Sequence, residues 1–282
     1  SGTDMAPATV QRYETSLKHT RDFVWETYHK KDVLLDEVSR QFIEDYEFWL
    51  KTEKKCCHNT ATKYLKNFKK ITRIALAKGW MKNDPFLEIR FSLDKVEPDF
   101  LEDSEIQKLI SKEIDIPRLS QVRDIFVFCC FTGLAFSDIH GLRKEHIVED
   151  SNGVRWIRKG RQKTKIMCNI PLIEIPLKIL EKYSTNEYCK KHGVLFPVLC
   201  NQKMNAYLKE LADICGIKKT LTTHVGRHTF ATFALANGVS IESVAKMLGH
   251  TNVQMTRHYA RVLDRTVIRE MSQIKMDLHF SM

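Results

Sequence analysis

Four side chains toward the C-terminal end have the types and spacing needed to act on a phosphodiester. They lie in the stretch THVGRHTFATFALANGVSIESVAKMLGHTNVQMTRHYAR, from Thr223 to Arg261. His224 and Arg227 are three apart, so on a helical turn both point to one side. A guanidinium fork can hold two nonbridging phosphate oxygens while an imidazole beside it donates or accepts a proton. His250 follows Leu248-Gly249, and Tyr259, a candidate nucleophile, comes nine residues after it. The local chemistry also predicts the elements that hold these groups. Ser240 can cap a helix running to Met247, with Gly249 as its left-handed stop. A Thr-x-x-Gln box from Thr251 to Gln254 predicts a helix that starts at Thr251 and carries Tyr259 about two turns in. His250 then occupies a tight junction between two helices.

Taken singly, each piece is common: an H-x-x-R pair is usually surface, and a Tyr on an amphipathic helix is usually core or rim. The combination of H-x-x-R-H, L-G-H and a following Tyr, with the HTFAT…LGHTNVQMTRHYA wording around it, resembles the C-terminal signature of tyrosine recombinases, the phage-type integrase family of site-specific DNA recombinases. The resemblance implies cleavage and rejoining of DNA through a 3′-phosphotyrosyl intermediate, with Tyr259 as nucleophile and Arg227 as phosphate fork. His224 and His250 are then expected to donate hydrogen bonds and assist proton transfer. Phosphate ester exchange conserves bond energy, so no metal and no cofactor is expected.

One block departs from the family. Thr-Gly-Leu at Thr132 to Leu134 is followed by Ala135, where the family has an Arg that helps clamp the scissile phosphate. The rest of that block, Ser137-Asp138-Ile139 and Gly141-Leu142, fits, and some integrases of mobile elements such as conjugative transposons share the wording and lack the same Arg. Arg123, on the preceding helix, is the favoured replacement, with Arg143, Lys144 and Arg161 as rivals.

Val154 to Ile157 and Ile166 to Leu172 alternate as strands do, and the cation-dense RKGRQKTK between them reads as a hairpin tip. In the family, a Lys on such a hairpin protonates the leaving 5′ oxygen. Gln162-Lys163-Thr164, eight residues before Pro171, matches the family's form and selects Lys163, with Lys159 and Lys165 as rivals; Arg161 and Lys165 are expected to bind DNA phosphates.

Ahead of this part, three helices are predicted: Thr9 to Tyr28, using Val10, Tyr13, Leu17, Phe23, Val24 and Trp25; one capped by Ser39; and one from Asn59 or Thr60 to Lys78. The third has an apolar face of Ala61, Tyr64, Leu65, Phe68, Ile71 and Ala75, and a stripe of Lys63, Lys66, Lys70 and Arg73 away from it. Lys51 to Lys82 holds ten Lys or Arg against one acid, Glu53. Such a stripe is either a solvated face or a helix that lies on the DNA backbone. Three helices ahead of the catalytic part resemble the family's core-binding domain.

A boundary is expected at Lys95 to Asp99, giving a helical core-DNA-binding domain over 1–97 and a catalytic domain over 98–282. Asp103 or Ser104 is expected to cap the first catalytic-domain helix, and Arg118 or Ser120 to start an apolar helix ending at Gly133. Amphipathic helices follow from Leu172 to Tyr183 and from Met204 to Cys215, and a tail helix from Asp264 to Met276 is expected to pack on a neighbouring protomer. The fold class is mainly α with a small antiparallel β-sheet.

A chain of 282 residues with a net charge of +10 suits two domains and a polyanionic partner. No apolar run approaches the ~18 residues of a membrane span, and there is no signal-peptide pattern. The eight cysteines include no C-x-x-C, so free thiols are expected. Ser1-Gly2-Thr3 reads as a cloning remnant; many members of the family carry a further N-terminal DNA-binding domain, so the resemblance leaves open whether one was removed. The expected partners are double-stranded DNA, a dimer of the chain per site and a tetramer in synapsis, and accessory DNA-bending proteins. The expected setting is the bacterial cytoplasm, in association with the nucleoid. Two rival readings are a DNA-binding module that has lost its chemistry, which Ala135 favours, and a type IB topoisomerase-like relaxase.

Overall fold

The computed structural model describes residues 5–259 and Met271, so the tail helix expected over Asp264 to Met276 lies, Met271 apart, outside the described residues. The chain divides into two compact units, residues 1–96 and 97–282. All eight cysteines are free thiols. No helix among the described residues is long and apolar enough to cross a membrane.

The first unit holds α1 (Pro7–Tyr28), α2 (Arg40–Thr52) and α3 (His58–Ala77). Ser39 caps α2 as expected, its hydroxyl accepting from the Phe42 N–H. α3 starts one residue before the expected Asn59, whose side chain lies within the helix and does not cap it. That side chain exchanges two hydrogen bonds with the Asp94 backbone, at 2.9 and 2.8 Å. The core is aromatic: Phe23, Phe42, Tyr46, Trp49 and Phe86 are buried together.

Two expected burial patterns need correction. On α1, Val10, Leu17 and Trp25 are exposed, and the packed stripe is Ser16, Thr20, Phe23 and Val24. Thr20 Oγ1 reaches the Tyr46 hydroxyl at 3.2 Å. On α3, Ile71 is 52% exposed while Thr72 is 3% exposed. Ala61, Leu65, Phe68, Thr72 and Ala75 keep a 3.6-residue period, and the Thr72 hydroxyl enters the core satisfied by the Lys69 carbonyl at 3.0 Å.

The second unit contains α4 (Asp103–Ser111), α5 (Pro117–Thr132) and α6 (Phe136–His140). A three-stranded antiparallel sheet follows, ordered β1 (Ile147–Glu149), β2 (Arg155–Gly160), β3 (Met167–Pro171). Then come α7 (Glu174–Tyr183), α8 (Glu187–His192), α9 (Asn201–Ile214), α10 (Thr223–Ala236), α11 (Ile241–Leu248) and α12 (Gln254–Arg257). The molecule is thus mainly helical with one small antiparallel sheet. β1, α6 and α8 are additions to the sequence reading; each is too short to show a period. The cap of α4 is Glu102 rather than Asp103 or Ser104, and its N–H is held by the Glu105 carboxylate at 2.8 Å.

α5 is buried on nearly all sides and packs on α7, α9 and α10. It stops at Gly133, in the left-handed region at φ 66°. A Cβ there would run into the Phe230 ring and come within 2.8 Å of Leu248 Cδ2. Glycine therefore lets the ends of α5 and α11 meet the middle of α10 at one point. In the sheet, Ile157 pairs with Ile170, and both point into the core with Cys168. The other end of the β2–β3 hairpin closes through Arg161 N–H to the Ile166 carbonyl and Lys165 N–H to the Arg161 carbonyl, both 2.8 Å, with Lys165 at φ 61°.

Candidate functional site

The meeting point of α5, α10 and α11 is where the chemistry-bearing residues collect. α10 begins at Thr223, with the Thr222 hydroxyl accepting from Val225 N–H, and its first turns carry His224, Arg227 and His228. Arg227 is 1% exposed. Its Nη1 donates to the Gly133 carbonyl at 2.7 Å; Nη2 donates to the Leu248 carbonyl at 2.6 Å and to His250 Nε2 at 3.0 Å. The two carbonyls that terminate α5 and α11 thus aim this one guanidinium. Burial lowers Arg227 to about 10, with Arg161 pushing the same way, and it remains a cation at neutral pH.

His250 sits where Ser240 and Gly249 were expected to put it. Ser240 caps α11, Gly249 stops it at φ 61°, and a Cβ on Gly249 would come 2.7 Å from Cys168 Sγ. Arg227 has no acceptor, so His250 Nε2 accepts and Nδ1–H donates to Thr256 Oγ1 at 2.8 Å. The hydrogen-bond donor role expected of His250 requires its other tautomer. Burial, then Arg227 and Arg161, lower His250 to about 4, so the ring is neutral.

The entry to Tyr259 differs from the expected capping box. The Thr251 hydroxyl reaches Met255 Sδ, while the Asn252 side chain accepts from Gln254 N–H at 2.8 Å and delays the helix to Gln254. Tyr259 then stands in the turn after α12, its N–H on the Thr256 carbonyl at 2.9 Å, rather than two turns into a helix. Its ring is nearly parallel to His250, with centroids 6.2 Å apart, and lies 5.0 Å from His228, which in turn abuts His224 at 4.3 Å. Burial raises the Tyr259 pKa, opposed by Arg227 and Arg161. Desolvation, followed by the charges of Arg227, Arg161 and Lys163, lowers His224. His224, Arg227, His250 and Tyr259 are therefore one cluster.

The hairpin supplies the remaining cations. Lys163 and Lys165 are exposed at its tip, and Thr164 Oγ1 donates to the Gly249 carbonyl at 3.1 Å, which ties the tip to the His250 junction. Lys159, the rival to Lys163, is engaged below the tip with the Gly141 carbonyl at 2.8 Å and His146 at 3.3 Å. Arg143 and Lys144 are exposed. The Arg161 side chain is largely buried, its Nε 3.8 Å from Asp138 Oδ2.

Arg123 must be corrected. Its guanidinium is tied to Asp124 at 3.1 Å and to the Lys112 carbonyl at 2.7 Å, in a network where Lys182 and Tyr183 hold the other Asp124 oxygen. Ten residues of α5, about 15 Å of helix, separate it from Gly133. Ala135 itself begins α6, its carbonyl accepting from Asp138 and Ile139. In the first unit, Lys63, Lys66, Lys70 and Arg73 are all exposed along α3, with Lys66 over Phe91 and Lys70 over Tyr13. No group of three or more His, Cys, Asp or Glu among the described residues is arranged to hold a metal ion.

Sequence reading missed His228, Thr164, Thr256 and Asp138 as parts of this centre. Only Asp138, three residues past the position where an Arg was missing, carried a usable signal.

The phage integrase family matches residues 99–266, and the phage integrase SAM-like domain matches residues 1–96. A tyrosine recombinase of Pseudothermotoga lettingae is 29% identical over 265 residues, covering 91% of this chain and 88% of its own. Among solved structures, a lambda integrase dimer bound to a COC′ core site superposes with a TM-score of 0.74 at 16% identity, over 99% of this chain and 95% of that one. The Tn1549 transposon integrase in complex with a circular intermediate DNA gives 0.72 at 18% identity, over 96% and 95%. With the two family matches spanning both units, and the cluster of Arg227, two histidines and Tyr259 closing on one point, the chain belongs to the phage integrase family of tyrosine recombinases.

Proposed function

We propose that this protein is a site-specific DNA recombinase that integrates or excises a mobile element by cleaving and rejoining strands through a 3′-phosphotyrosyl link. The observation that carries the reading is the buried Arg227, aimed by two helix-terminal carbonyls and hydrogen-bonded to His250, with the Tyr259 ring beside that histidine. A transposon integrase and a phage integrase among the structural neighbours support the mobile-element part.

In the proposed step, Tyr259 Oη attacks the scissile phosphorus and the bond to the 5′ oxygen breaks. The tyrosyl proton leaves toward a neutral imidazole as the bond forms, His224 or, once its Nε2 releases the Arg227 N–H, His250, because burial opposes storing a phenolate. Lys163, exposed on the hairpin, gives a proton to the departing 5′ oxygen. Arg227 offsets charge on the nonbridging oxygens. A partner strand's 5′ hydroxyl then reverses the step. Residues 1–97 serve as the core-binding domain, with Lys63, Lys66, Lys70 and Arg73 on DNA phosphates, and Arg161 and Lys165 contacting DNA in the catalytic domain over 98–282. Dimers form on each site and tetramers in synapsis.

The test is covalent capture. Nicked duplexes enriched from a randomised pool on the unmutated protein form an adduct that survives denaturing electrophoresis, and Tyr259→Phe abolishes it. A protein that binds such duplexes and never forms an adduct is the binding module that Ala135 favours, and the proposal falls.

A further inference from the structure

The proposed chemistry leaves a deficit at the phosphate. Arg227 has five N–H groups, and three are already spent on the Gly133 carbonyl, the Leu248 carbonyl and His250. Two nonbridging oxygens that gain charge in a phosphorane-like transition state call for more donors than the remaining pair, and the Ala135 methyl offers none.

We propose that Arg161, entering from the β2–β3 hairpin and steadied by Asp138, is the second arginine of the phosphate clamp and does the work for which Ala135 has no side chain. This rests on the recombinase reading given above. Arg161 follows directly on β2, and its N–H and carbonyl close the hairpin through Ile166 and Lys165, so its backbone is fixed. Its stem runs along the residue before His250: a Cβ on Gly249 would lie 3.5 Å from Arg161 Cδ. Asp138 supplies the anchor from the other side. That carboxylate is 2% exposed, accepts from the Gln162 N–H at 2.9 Å, and lies 3.8 Å from Arg161 Nε.

Three features distinguish Arg161 from a charge that merely packs. Its side chain is only 11% exposed. Its guanidinium makes no hydrogen bond among the described residues, and Nε and Asp138 Oδ2 are both buried and stand just beyond bonding distance of one another. A buried fork with open donors and one loosely held carboxylate is prepared for an anion. Finally, Arg161 bears on the protonation of His224, Arg227, His250 and Tyr259 alike, which locates its charge at the centre they share. Of the other candidates, Arg123 is committed to Asp124 and Lys112, and Arg143 and Lys144 are exposed.

The probe is the enriched nicked duplex, prepared with an ordinary scissile phosphate and with a methylphosphonate, which lacks one nonbridging charge. On the ordinary phosphate, Arg161→Ala is expected to bind the duplex and form adduct about 10²- to 10³-fold more slowly, the usual cost of one electrostatic donor. On the methylphosphonate that defect shrinks by about tenfold or more, because less charge is left to offset. Ala135→Arg in the Arg161→Ala background also recovers adduct. Arg161→Lys, which keeps the charge and loses the fork, covers the case in which Arg161→Ala fails to fold. An Arg161→Ala rate within about threefold of the unmutated protein overturns the assignment. So does a defect that neither the methylphosphonate nor Ala135→Arg relieves, since that is the behaviour of a residue needed only for structure. If the unmutated protein forms no adduct at all, the recombinase reading itself has failed, and the assignment of Arg161 goes with it.

Discussion

The cations of α10 and of α3 differ in how each is held. Arg227 is 1% exposed, carries three internal hydrogen bonds, and has its direction set by carbonyls from two other helices. Lys63, Lys66, Lys70 and Arg73 stand exposed on one helix face, two of them resting over the rings of Phe91 and Tyr13. The first arrangement makes a fixed donor for one developing charge. The second makes a band of positive potential in which no single direction matters. Substitutions at the two places should therefore fail in different ways.

The largest expected effect is at Arg227. Arg227→Ala strips the partner from two buried carbonyls, and each such loss costs about 1–3 kcal/mol. It should lower thermal stability and abolish detectable adduct. Arg227→Lys keeps a charge but has no fork to bridge the Gly133 and Leu248 carbonyls, and is expected to cut the adduct rate by roughly 10²-fold or more. Adduct formation by Arg227→Lys at the unmutated rate would mean that charge alone suffices there, and the contrast with α3 would collapse.

The same burial predicts a pH dependence that the α3 stripe cannot have. His250 is held at about 4 in the folded protein against an ordinary value near 6.5, first by burial and then by Arg227 and Arg161. The unfolded chain thus binds a proton that the folded site refuses. Stability from this group is complete above about pH 6.5, is lost as pH falls toward about 4, and changes no further below that. For a half-buried ring the loss is on the order of 2 kcal/mol after allowance for solvent screening. His224 is lowered too and acts with the same sign. Thermal unfolding followed from pH 7.5 to 4 (about the range that spans both values) should show a steeper decline for the unmutated protein than for His250→Gln. Parallel curves would mean that His250 is not held neutral by this pocket.

What could be read in advance, and what could not, follows from the range of the interactions. Ser39, Ser240, Gly133 and Gly249 mark helix ends through local chemistry, so their elements were visible in the sequence. The spacing of His224, Arg227, His250 and Tyr259 was equally visible. The sequence favours Arg123 over Arg161, and what decides between them is non-local. Asp124 and the Lys112 carbonyl hold one, while Asp138, 23 positions upstream, loosely holds the other. The start of α12 was misread because Asn252 satisfies Gln254 N–H before Thr251 can. Thr72, not Ile71, falls on the period of Ala61, Leu65, Phe68 and Ala75. Its polar hydroxyl hides that from a hydrophobicity reading, while the Lys69 carbonyl satisfies it in the core.

The smallest expected effect, and the one that sharpens the comparison most, belongs to single α3 cations. If the stripe lies on DNA phosphates, each Lys or Arg that touches one releases a counterion, and its removal lowers the slope of log affinity against log salt by about 1. Lys63→Ala, Lys66→Ala, Lys70→Ala and Arg73→Ala should each do this on a duplex of random sequence, because phosphates carry no sequence information. The adduct rate of the bound complex should stay unchanged, in contrast to Arg227→Lys. Lys66→Ala and Lys70→Ala also lose contact with Phe91 and Tyr13, worth about 0.5–1 kcal/mol at exposed sites, so they should lower stability slightly. That difference lets the folding and binding contributions be told apart. Salt slopes that remain within about half a unit of the unmutated value for all four would make α3 a solvated face. The positive band would then have no nucleic-acid role, and core binding would have to come from another surface of the first unit.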